Sequence, residues 1–291
     1  MKSSCFNHLL SDRRGKTVSA LFTLLLCAPA VSTATAFNDL NHWLANAPTG
    51  KTADWTAKSG IQNMIEDNGH GPTGFVGPGW GGQEYDAEAI YINKTGTVLE
   101  IAVVTGMDPS TTHTYGPGDI AIDLDYQVNG PASFEIGIGT MGANAGQIFQ
   151  IGIDGWEYGL WNQSGGHDPG NPDPAHPTSM IISNNTLLGS ANAFYYGDAR
   201  YNNSSLSQLG QYAGDNHYLI AVSIDLTRND LGFLTDGIEQ GGAFLAHWTM
   251  DCANDSVEVD PPSRVPEPAS ILLTLTGLLG LISFRRNQTR D

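Results

Sequence analysis

The feature that most constrains the fold is a series of short runs of β-branched and aromatic residues separated by glycine and asparagine. Eight such runs lie at residues 87–92, 98–105, 120–126, 134–139, 148–153, 156–161, 218–226 and 244–250. Short strands with turn residues between them are typical of an antiparallel sandwich or jelly roll rather than a parallel α/β sheet. Helical periodicity is weak, apart from one helical turn predicted near residues 61–66. The sequence therefore predicts an all-β fold, with a single antiparallel β-sandwich or jelly-roll domain at residues 37–260.

The N-terminus has the three parts of a secretory signal peptide in the required order. Four basic residues precede an apolar run at residues 18–31, and the small residues Ala34, Thr35 and Ala36 follow it. A signal peptidase recognises this order of basic, apolar and small residues. We expect residues 1–36 to be removed during export, so that the mature chain begins at Phe37.

The C-terminus combines a rigid motif, a short apolar segment and a basic end. The motif consists of Val265, Pro266, Glu267 and Pro268. Its two prolines favour an extended backbone that is incompatible with a helix. The apolar segment 269–284 is slightly shorter than the roughly 17–25 residues of a stable membrane-spanning helix, and the arginines that follow would stay on the cytoplasmic side. This order predicts a hydrophobic helix at 269–284 that serves as a temporary anchor.

Residues 265–286 resemble the PEP-CTERM sorting signal of surface proteins that an exosortase processes. The resemblance covers only the last 27 residues, 265–291, in which all three parts of the signal stand in order. It implies a membrane-embedded transpeptidase that cuts near Pro266, Glu267 and Pro268, and a Gram-negative host that often forms a biofilm. We expect transient insertion into the inner membrane, followed by release to the cell surface or extracellular matrix. A permanent single-pass anchor is the alternative interpretation.

The body of the chain between the two signals is strongly acidic. Residues 37–264 contain 6 lysines and arginines and 27 aspartates and glutamates, a net charge near −21 with neutral histidines. This charge disfavours a nucleic-acid partner and suits the binding of divalent cations outside the cell. Cys252 is the one cysteine of the body, which excludes an internal disulfide and a cysteine zinc site, and we expect it to be buried. Residues 261–264 are predicted to be a linker to the sorting signal.

Two segments place carboxylates at alternate positions and are the candidate metal sites. The first contains Glu84, Asp86 and Glu88, and the second contains Asp119, Asp123 and Asp125. Side chains of a strand alternate between its faces, so each set is expected to share one face. Such a stripe needs solvent or a bridging cation, and calcium, with six to eight oxygen ligands, is the natural bridge. A solvated outer face is the favoured interpretation, and a calcium site is the alternative.

Tryptophans provide the candidate sites for a carbohydrate, because an exposed indole can stack on a sugar ring. Trp80, in a glycine-rich loop, and Trp161, which pairs with Trp156, are the candidates. Core packing is the favoured interpretation for Trp156 and Trp248, which lie inside apolar runs. Residues 85–106 are also similar to the opening hairpin of family 9-like carbohydrate-binding sandwiches. That resemblance supports a β-sandwich fold more than a ligand. An extracellular polysaccharide is the partner expected if the chain binds carbohydrate.

No catalytic residues are assigned. The sequence contains no Gly-x-Ser-x-Gly elbow, no His-Glu-x-x-His helix and no phosphate-binding Gly-Lys-Ser/Thr loop. Glycoside hydrolysis needs a pair of carboxylates, but carboxylates are so numerous here that a pair carries little information. The leading hypothesis is a non-catalytic surface or biofilm-matrix protein sorted by an exosortase. The alternative is a calcium-assisted carbohydrate-binding module, and a glycoside hydrolase is less favoured.

Overall fold

The computed structural model describes residues 36–48, 55–65, 82–110, 112–125, 134–159, 176–202, 204–205, 216–241 and 244–259. All of them belong to one compact unit of the chain. The predicted signal peptide, the linker 261–264 and the sorting signal with its helix 269–284 lie outside the described residues, as do Trp80 and Trp161. Within the described ranges, no helix has the length and apolar character needed to cross a membrane.

Fifteen strands and two α-helices make up the described part of the chain. The strands are β1 (Gln62–Ile65), β2 (Ala87–Thr95), β3 (Val98–Thr105), β4 (Ile120–Asp123), β5 (Ile136–Ile138), β6 (Gln147–Gln150), β7 (Trp156–Tyr158), β8 (Pro177–Met180), β9 (Thr186–Ser190), β10 (Ala193–Asp198), β11 (Arg200–Tyr201), β12 (Ser204–Ser205), β13 (Tyr218–Asp225), β14 (Leu245–Thr249) and β15 (Ser256–Val259). The helices are α1 (Leu40–Trp43) and α2 (Gly232–Gly241). A 3-10 turn at Gly82–Tyr85 precedes β2.

The strands form two main antiparallel sheets. The five-stranded sheet has the order β1-β2-β3-β13-β10, and the six-stranded sheet has the order β15-β14-β4-β5-β6-β9. Two shorter ribbons pair β7 with β8 and β11 with β12. The prediction of an all-β, antiparallel fold is confirmed, and each of the eight predicted strands overlaps an observed one.

The alternation of side chains along β3 explains its almost continuous apolar run. Ile101 and Val103 pack into the main core cluster, whereas Ala102 and Val104 pack into a second cluster beneath helix α1. A strand whose two faces are both covered buries every residue, so its sequence shows no polar alternation. Both sides of the five-stranded sheet are therefore covered at this strand.

The main core cluster contains residues of both sheets. Ile90, Ile101 and Ile220 come from the five-stranded sheet, and Ile122 and Trp248 come from the six-stranded sheet. Each of these side chains is fully buried. Burial of a large apolar side chain contributes about 1.5–3 kcal/mol, so this shared cluster is the main source of stability.

The helical turn predicted at residues 61–66 is wrong. Residues Gln62–Ile65 form strand β1, in which Gln62 pairs with Ile92 and Ile65 pairs with Ala89. The available edge of β2 determines the backbone conformation here, which a local pattern cannot reveal.

Helix α2 was missed because glycines interrupt its pattern. Leu234 and Ile238, four residues apart, both pack on the main core cluster, which is the spacing of one helix face. Gly237 lies on the same helix, and a Cβ atom there would stand 2.5 Å from the Leu124 side chain. Glycine at this position therefore allows the helix to pack closely against Leu124, although glycine lowers helix propensity.

Candidate metal centre and polar cleft

The β4–β5 hairpin brings three carboxylates together at the end of the six-stranded sheet. Ile122 of β4 pairs with Ile136 of β5, so the antiparallel register places Glu135 opposite Asp123. Asp125 follows two residues further along the chain. One carboxylate oxygen from each of Asp123, Asp125 and Glu135 can be chosen so that all three lie within 4.8 Å of one another. These three residues are called the acidic cluster below.

Backbone hydrogen bonds hold the acidic cluster in place but leave one oxygen of Asp123 unsatisfied. The N–H of Leu124 donates to Glu135 Oε2 at 2.8 Å, and the N–H of Asp125 donates to Asp123 Oδ1 at 3.0 Å. Asp123 is fully buried, and its Oδ2 atom has no hydrogen-bond partner among the described residues. A buried charged group without a partner costs more than the roughly 1–3 kcal/mol of a neutral one. The described residues therefore leave this oxygen of Asp123 without a hydrogen bond.

The electrostatics of the acidic cluster favour a bound cation. Burial raises the pKa of Asp123 to about 6; the N–H of Asp125 opposes this rise, while the nearby charges of Glu135 and Asp125 and a side-chain hydrogen bond with Asp125 add to it. Calcium–oxygen distances of about 2.3–2.6 Å place opposite ligands roughly 4.6–5.2 Å apart, which is compatible with the spacing of this cluster. Three oxygen ligands without histidine or cysteine suit calcium better than zinc.

Asp119 does not belong to the acidic cluster, although the sequence grouped it with Asp123 and Asp125. Its Oδ1 accepts the N–H of Thr140 at 3.0 Å, and its Oδ2 accepts the N–H of Met180 at 2.9 Å. Burial raises the pKa of Asp119 to about 6. The Asp119 side chain therefore joins the residue before β4 to the backbone at Thr140 and Met180.

Two parts of the sequence interpretation need correction at this hairpin. The favoured interpretation, a solvated outer face, is wrong for Asp123, which is fully buried. Glu135 was missed, because spacing along a single strand does not connect carboxylates of different strands. The signal that could have found it is the pairing of the consecutive predicted strands 120–126 and 134–139, which places acidic residues opposite each other.

The other predicted stripe, Glu84, Asp86 and Glu88, does not lie on one face of a strand. Glu84 belongs to the 3-10 turn Gly82–Tyr85 and its side chain is 50% exposed, whereas Asp86 and Glu88 are buried. Strand β2 begins only at Ala87, and its register with β3 shifts between Ala87 and Ala89. The turn and this irregularity break the alternation on which the prediction depended.

Asp86 and Glu88 form a buried group with His217 and Asp255, called the buried acid–histidine group below. Glu88 Oε1 lies 2.5 Å from His217 Nε2, and Asp255 Oδ2 accepts the N–H of Ala87 at 2.8 Å. Burial would raise the pKa of Glu88, but the hydrogen bond and charge of His217 outweigh it, and the pKa is lowered. Burial, followed by the charge and hydrogen bond of Glu88, raises the pKa of Asp86 far above its usual range. Asp86 therefore keeps its proton while Glu88 is ionised.

Glu84 borders a polar cleft of about 480 Å³. Residues that line the cleft include Gln83, Glu84, Asp108, Thr112, His113 and Tyr218. Gly106 permits this arrangement, because a Cβ atom there would lie 1.6 Å from the Gln83 carbonyl oxygen. Glycine at this position lets the 3-10 turn pack directly against the end of β3.

The tryptophans that the structure describes are core residues. Trp43, Trp55, Trp156 and Trp248 are all buried. The indole N–H of Trp156 donates to the Phe134 carbonyl, and that of Trp248 donates to the Gly118 carbonyl, each at 3.0 Å. The core prediction for Trp156 and Trp248 is confirmed, and so is the burial of Cys252.

Two groups of side chains thus remain as functional candidates, the acidic cluster and the polar cleft. Comparison of the chain with family models, with curated proteins and with solved structures gave no match. The function of each group is inferred below from its own chemistry.

Proposed function

We propose that this chain is an exported, non-catalytic β-sandwich protein of the cell surface or biofilm matrix whose acidic cluster binds a calcium ion. One observation carries the calcium assignment. The fully buried carboxylate of Asp123 keeps an oxygen without a partner among the described residues, beside the carboxylates of Asp125 and Glu135. A divalent cation would give that oxygen a partner and offset the repulsion between the three charges.

A single β-sandwich is supported by the core that the two sheets share. The five- and six-stranded sheets are antiparallel throughout and contribute to the same main core cluster. Two such sheets that bury their apolar faces against each other are the definition of a sandwich. A jelly-roll order of strand connections is a more specific proposal within the β-sandwich class.

Export and sorting are supported by the two ends of the sequence. The pattern at 1–36 is that of a signal peptide for export, and the motif at 265–268 with the predicted hydrophobic helix 269–284 is that of a temporary membrane anchor. Extracellular modules bind calcium with dissociation constants of about 10⁻⁴–10⁻³ M. A site of that affinity would be sufficient to bind calcium outside the cell. The bound ion would stabilise the β4–β5 hairpin.

The calcium proposal is tested by thermal unfolding of the full chain, purified in a detergent without a sugar head group. At free calcium 100 times the dissociation constant, binding stabilises the folded state by about 2.7 kcal/mol, which raises Tm by roughly 5–10 °C. We expect magnesium to have a smaller effect, and Asp123→Asn to lose the response to calcium. Asp154→Asn, an exposed change of the same chemistry, is the control. An equal response in Asp123→Asn and the wild type would contradict the site.

The sorting proposal is tested by the mass of the mature protein from a Gram-negative host that carries an exosortase. We expect a chain that begins at Phe37 and lacks the hydrophobic segment 269–284. A surface-exposed protein that keeps this segment would be permanently anchored instead, and the exosortase assignment would be withdrawn.

The alternative role in carbohydrate binding has no support from the described tryptophans, which are buried. A tryptophan platform would depend on Trp80 and Trp161, and it stays a prediction.

A further inference from the structure

The polar cleft is separate from the acidic cluster, and the two share no residue. Its volume, about 480 Å³, falls within the roughly 300–1,000 Å³ of typical small-molecule sites. Glu84 and Asp108 contribute carboxylates to it, and His113 is the one basic side chain among the described residues that line it. Acidic groups therefore outnumber basic ones in the described lining.

A single histidine does not offset both carboxylates. The Nδ1 atom of His113 contacts the Glu84 carboxylate, whereas its Nε2 atom lies 2.6 Å from the backbone carbonyl oxygen of Asp108. The Asp108 carboxylate accepts hydrogen bonds from the N–H and the hydroxyl of Ser110, each at 2.7 Å, and these donors are uncharged. Burial opposes ionisation of Asp108, but the hydrogen bonds from Ser110 and Tyr218 and the charge of His113 outweigh it, and the pKa is lowered. Asp108 is therefore a charged acceptor at neutral pH.

The pKa values of two other lining groups indicate a negative potential in the cleft. Burial, followed by the hydrogen bond and charge of Asp108 and the charge of Asp198, raises the pKa of Tyr218 to about 12. Burial lowers the pKa of His113, but the contacts with Glu84 and Asp108 outweigh it, and the pKa is raised. Negative surroundings raise the pKa of an acid and of a base alike, because each bound proton adds a positive charge. The cleft is therefore expected to attract cations.

The floor of the cleft is held in place by the buried acid–histidine group. Gln83 Nε2 lies 3.2 Å from His217 Nε2 and 3.4 Å from Glu88 Oε1, so its amide joins the cleft to the buried ion pair. The same atom lies 3.4 Å from the Asn216 carbonyl oxygen. A ligand would meet a lining that is already ordered, which lowers the entropy cost of binding.

The size of the cleft and the spacing of its ligand atoms favour an organic cation over a bare metal ion. Calcium lies about 2.3–2.6 Å from each of its oxygen ligands, which requires a compact set of ligands. Among the described residues, the three side chains that place ligand atoms within 4.8 Å of one another are those of the acidic cluster, and no such set lies at the cleft. The volume of about 480 Å³ has room for several non-hydrogen atoms.

We propose that the polar cleft binds a small organic ammonium ion, such as an alkylamine or a polyamine, through the carboxylates of Glu84 and Asp108. A primary ammonium group has three N–H donors and no acceptor, so it needs a site rich in acceptors. The Thr112 hydroxyl, which also lines the cleft, is a third acceptor beside the two carboxylates. An anion would be repelled by both carboxylates, and a neutral ligand would gain nothing from their charge.

The test compares three ligands of equal chain length and different charge, namely the four-carbon diamine putrescine, butanediol and succinate. The full chain is titrated by calorimetry in an uncharged detergent at pH 7, where alkylamines, like lysine with its pKa of about 10.4, are protonated. Sodium chloride at about 0.15 M screens exposed charges. We expect one putrescine per chain and no binding of butanediol or succinate. Absence of putrescine binding, or equal binding of either matched ligand, would overturn the proposal.

Two variants locate the bound amine. Asp108→Asn should weaken putrescine binding about 10-fold, which corresponds to about 1.4 kcal/mol, while asparagine keeps an oxygen for the hydrogen bonds from Ser110. Glu84→Gln should weaken binding less, because the Glu84 side chain is half exposed. Asp154→Asn and Glu157→Gln, which change exposed acidic residues, are the matched controls. Unchanged affinity in both cleft variants, or equal losses in the controls, would show non-specific attraction and overturn the proposal.

Further controls separate this site from folding, from the acidic cluster and from a protein partner. Urea unfolding shows whether each variant is folded, and half-exposed Glu84 is a position where Glu84→Gln should fold normally. Asp123→Asn should keep putrescine binding, so the cleft and the calcium site can fail independently, and loss of binding in this variant would place the amine at the acidic cluster instead. A short lysine peptide with blocked ends presents the same ammonium group on a protein chain. Tighter binding of that peptide than of putrescine would overturn the assignment of a small ligand.

Discussion

The buried acid–histidine group and the acidic cluster both collect carboxylates, but they are neutralised in different ways. In the first group the Glu88 carboxylate contacts the His217 ring, which lowers the pKa of Glu88, and Asp86 keeps its own proton. In the acidic cluster, the charges that act on Asp123 are those of Asp125 and Glu135, which have the same sign. The number of carboxylates alone therefore does not identify a metal site. What matters is whether the protein supplies the compensating proton or cation.

The largest expected effect concerns the buried ion pair. Glu88→Gln leaves His217 without its charged partner and should lower the free energy of unfolding by about 3 kcal/mol, the lower end for a broken buried pair. Urea unfolding at pH 7 measures this difference.

Asp86→Asn, two residues away in the same buried group, is the matched control. Asparagine resembles the protonated acid that Asp86 already is, so the change should cost much less than Glu88→Gln. Equal losses for the two variants would show that Asp86 is ionised, and the distinction between the two carboxylates would fail.

The second expected effect concerns the close approach at Gly106. An added Cβ atom would overlap the Gln83 carbonyl oxygen, so Gly106→Ala should destabilise the protein by about 1–3 kcal/mol or more. Gly232→Ala is the control, since open space surrounds Gly232 and its backbone is helical. That control should stabilise the protein by about 0.4–1 kcal/mol. This account of Gly106 would be contradicted if both variants had urea midpoints above that of the wild type, or both below it.

The third expected effect is a pH dependence of the calcium-free protein. The folded-state pKa of Asp123, about 6, lies above its unfolded value of 3.8. Between these two values the folded state retains a proton that the unfolded chain has released, so the free energy of unfolding falls as pH rises from about 4 to 6. Asp123→Asn should make this fall shallower, as measured by urea unfolding in the presence of a chelator.

Asp119 contributes to the same slope because its pKa is also about 6. Asp119→Asn should therefore reduce the slope as well, but with calcium present only the Asp123 contribution should disappear from the wild type. A slope that calcium leaves unchanged would argue against binding at Asp123.

The smallest expected effect concerns His113 at the rim of the cleft. Burial lowers the pKa of His113, but the hydrogen bonds to Glu84 and to the Asp108 carbonyl outweigh it, and the pKa is raised above 6.5. The stability that this contact contributes is present below pH 6.5 and is lost as pH rises through the folded-state pKa. Because Glu84 is half exposed, His113→Asn should cost under about 1 kcal/mol at pH 6 and less at pH 9. Thermal unfolding of the wild type and of His113→Asn at pH 6 and pH 9 checks whether the loss of stability is larger at pH 6.

Local patterns predicted eight of the fifteen described strands, but not the arrangement of their side chains. The runs at 98–105 and 218–226 predicted β3 and β13 because both strands are covered on two faces and are mostly apolar, apart from Glu100 and Thr105 in β3 and Ser223 and Asp225 in β13. Strand β1 was missed, since its stability comes from the edge of β2 rather than from its own residues.

The candidate sites, too, depend on contacts between strands that a local sequence pattern does not predict. Asp123 and Asp125 were predicted together with Asp119, which lies elsewhere, whereas Glu135 comes from the facing strand and becomes visible only through the register of the hairpin. His217 is even more remote, because it lies 129 residues from Glu88 in the sequence. No spacing rule along a single segment can identify a partner that the sheet topology brings into contact.

The most direct measurement is a calorimetric titration of calcium into the full chain at pH 7, on the wild type and three variants. The account predicts one calcium ion per wild-type chain, loss of binding in Asp123→Asn and Glu135→Gln, and retained binding in Asp86→Asn. Absence of binding in the wild type would contradict it, as would a pattern in which Asp86→Asn loses calcium and Asp123→Asn keeps it.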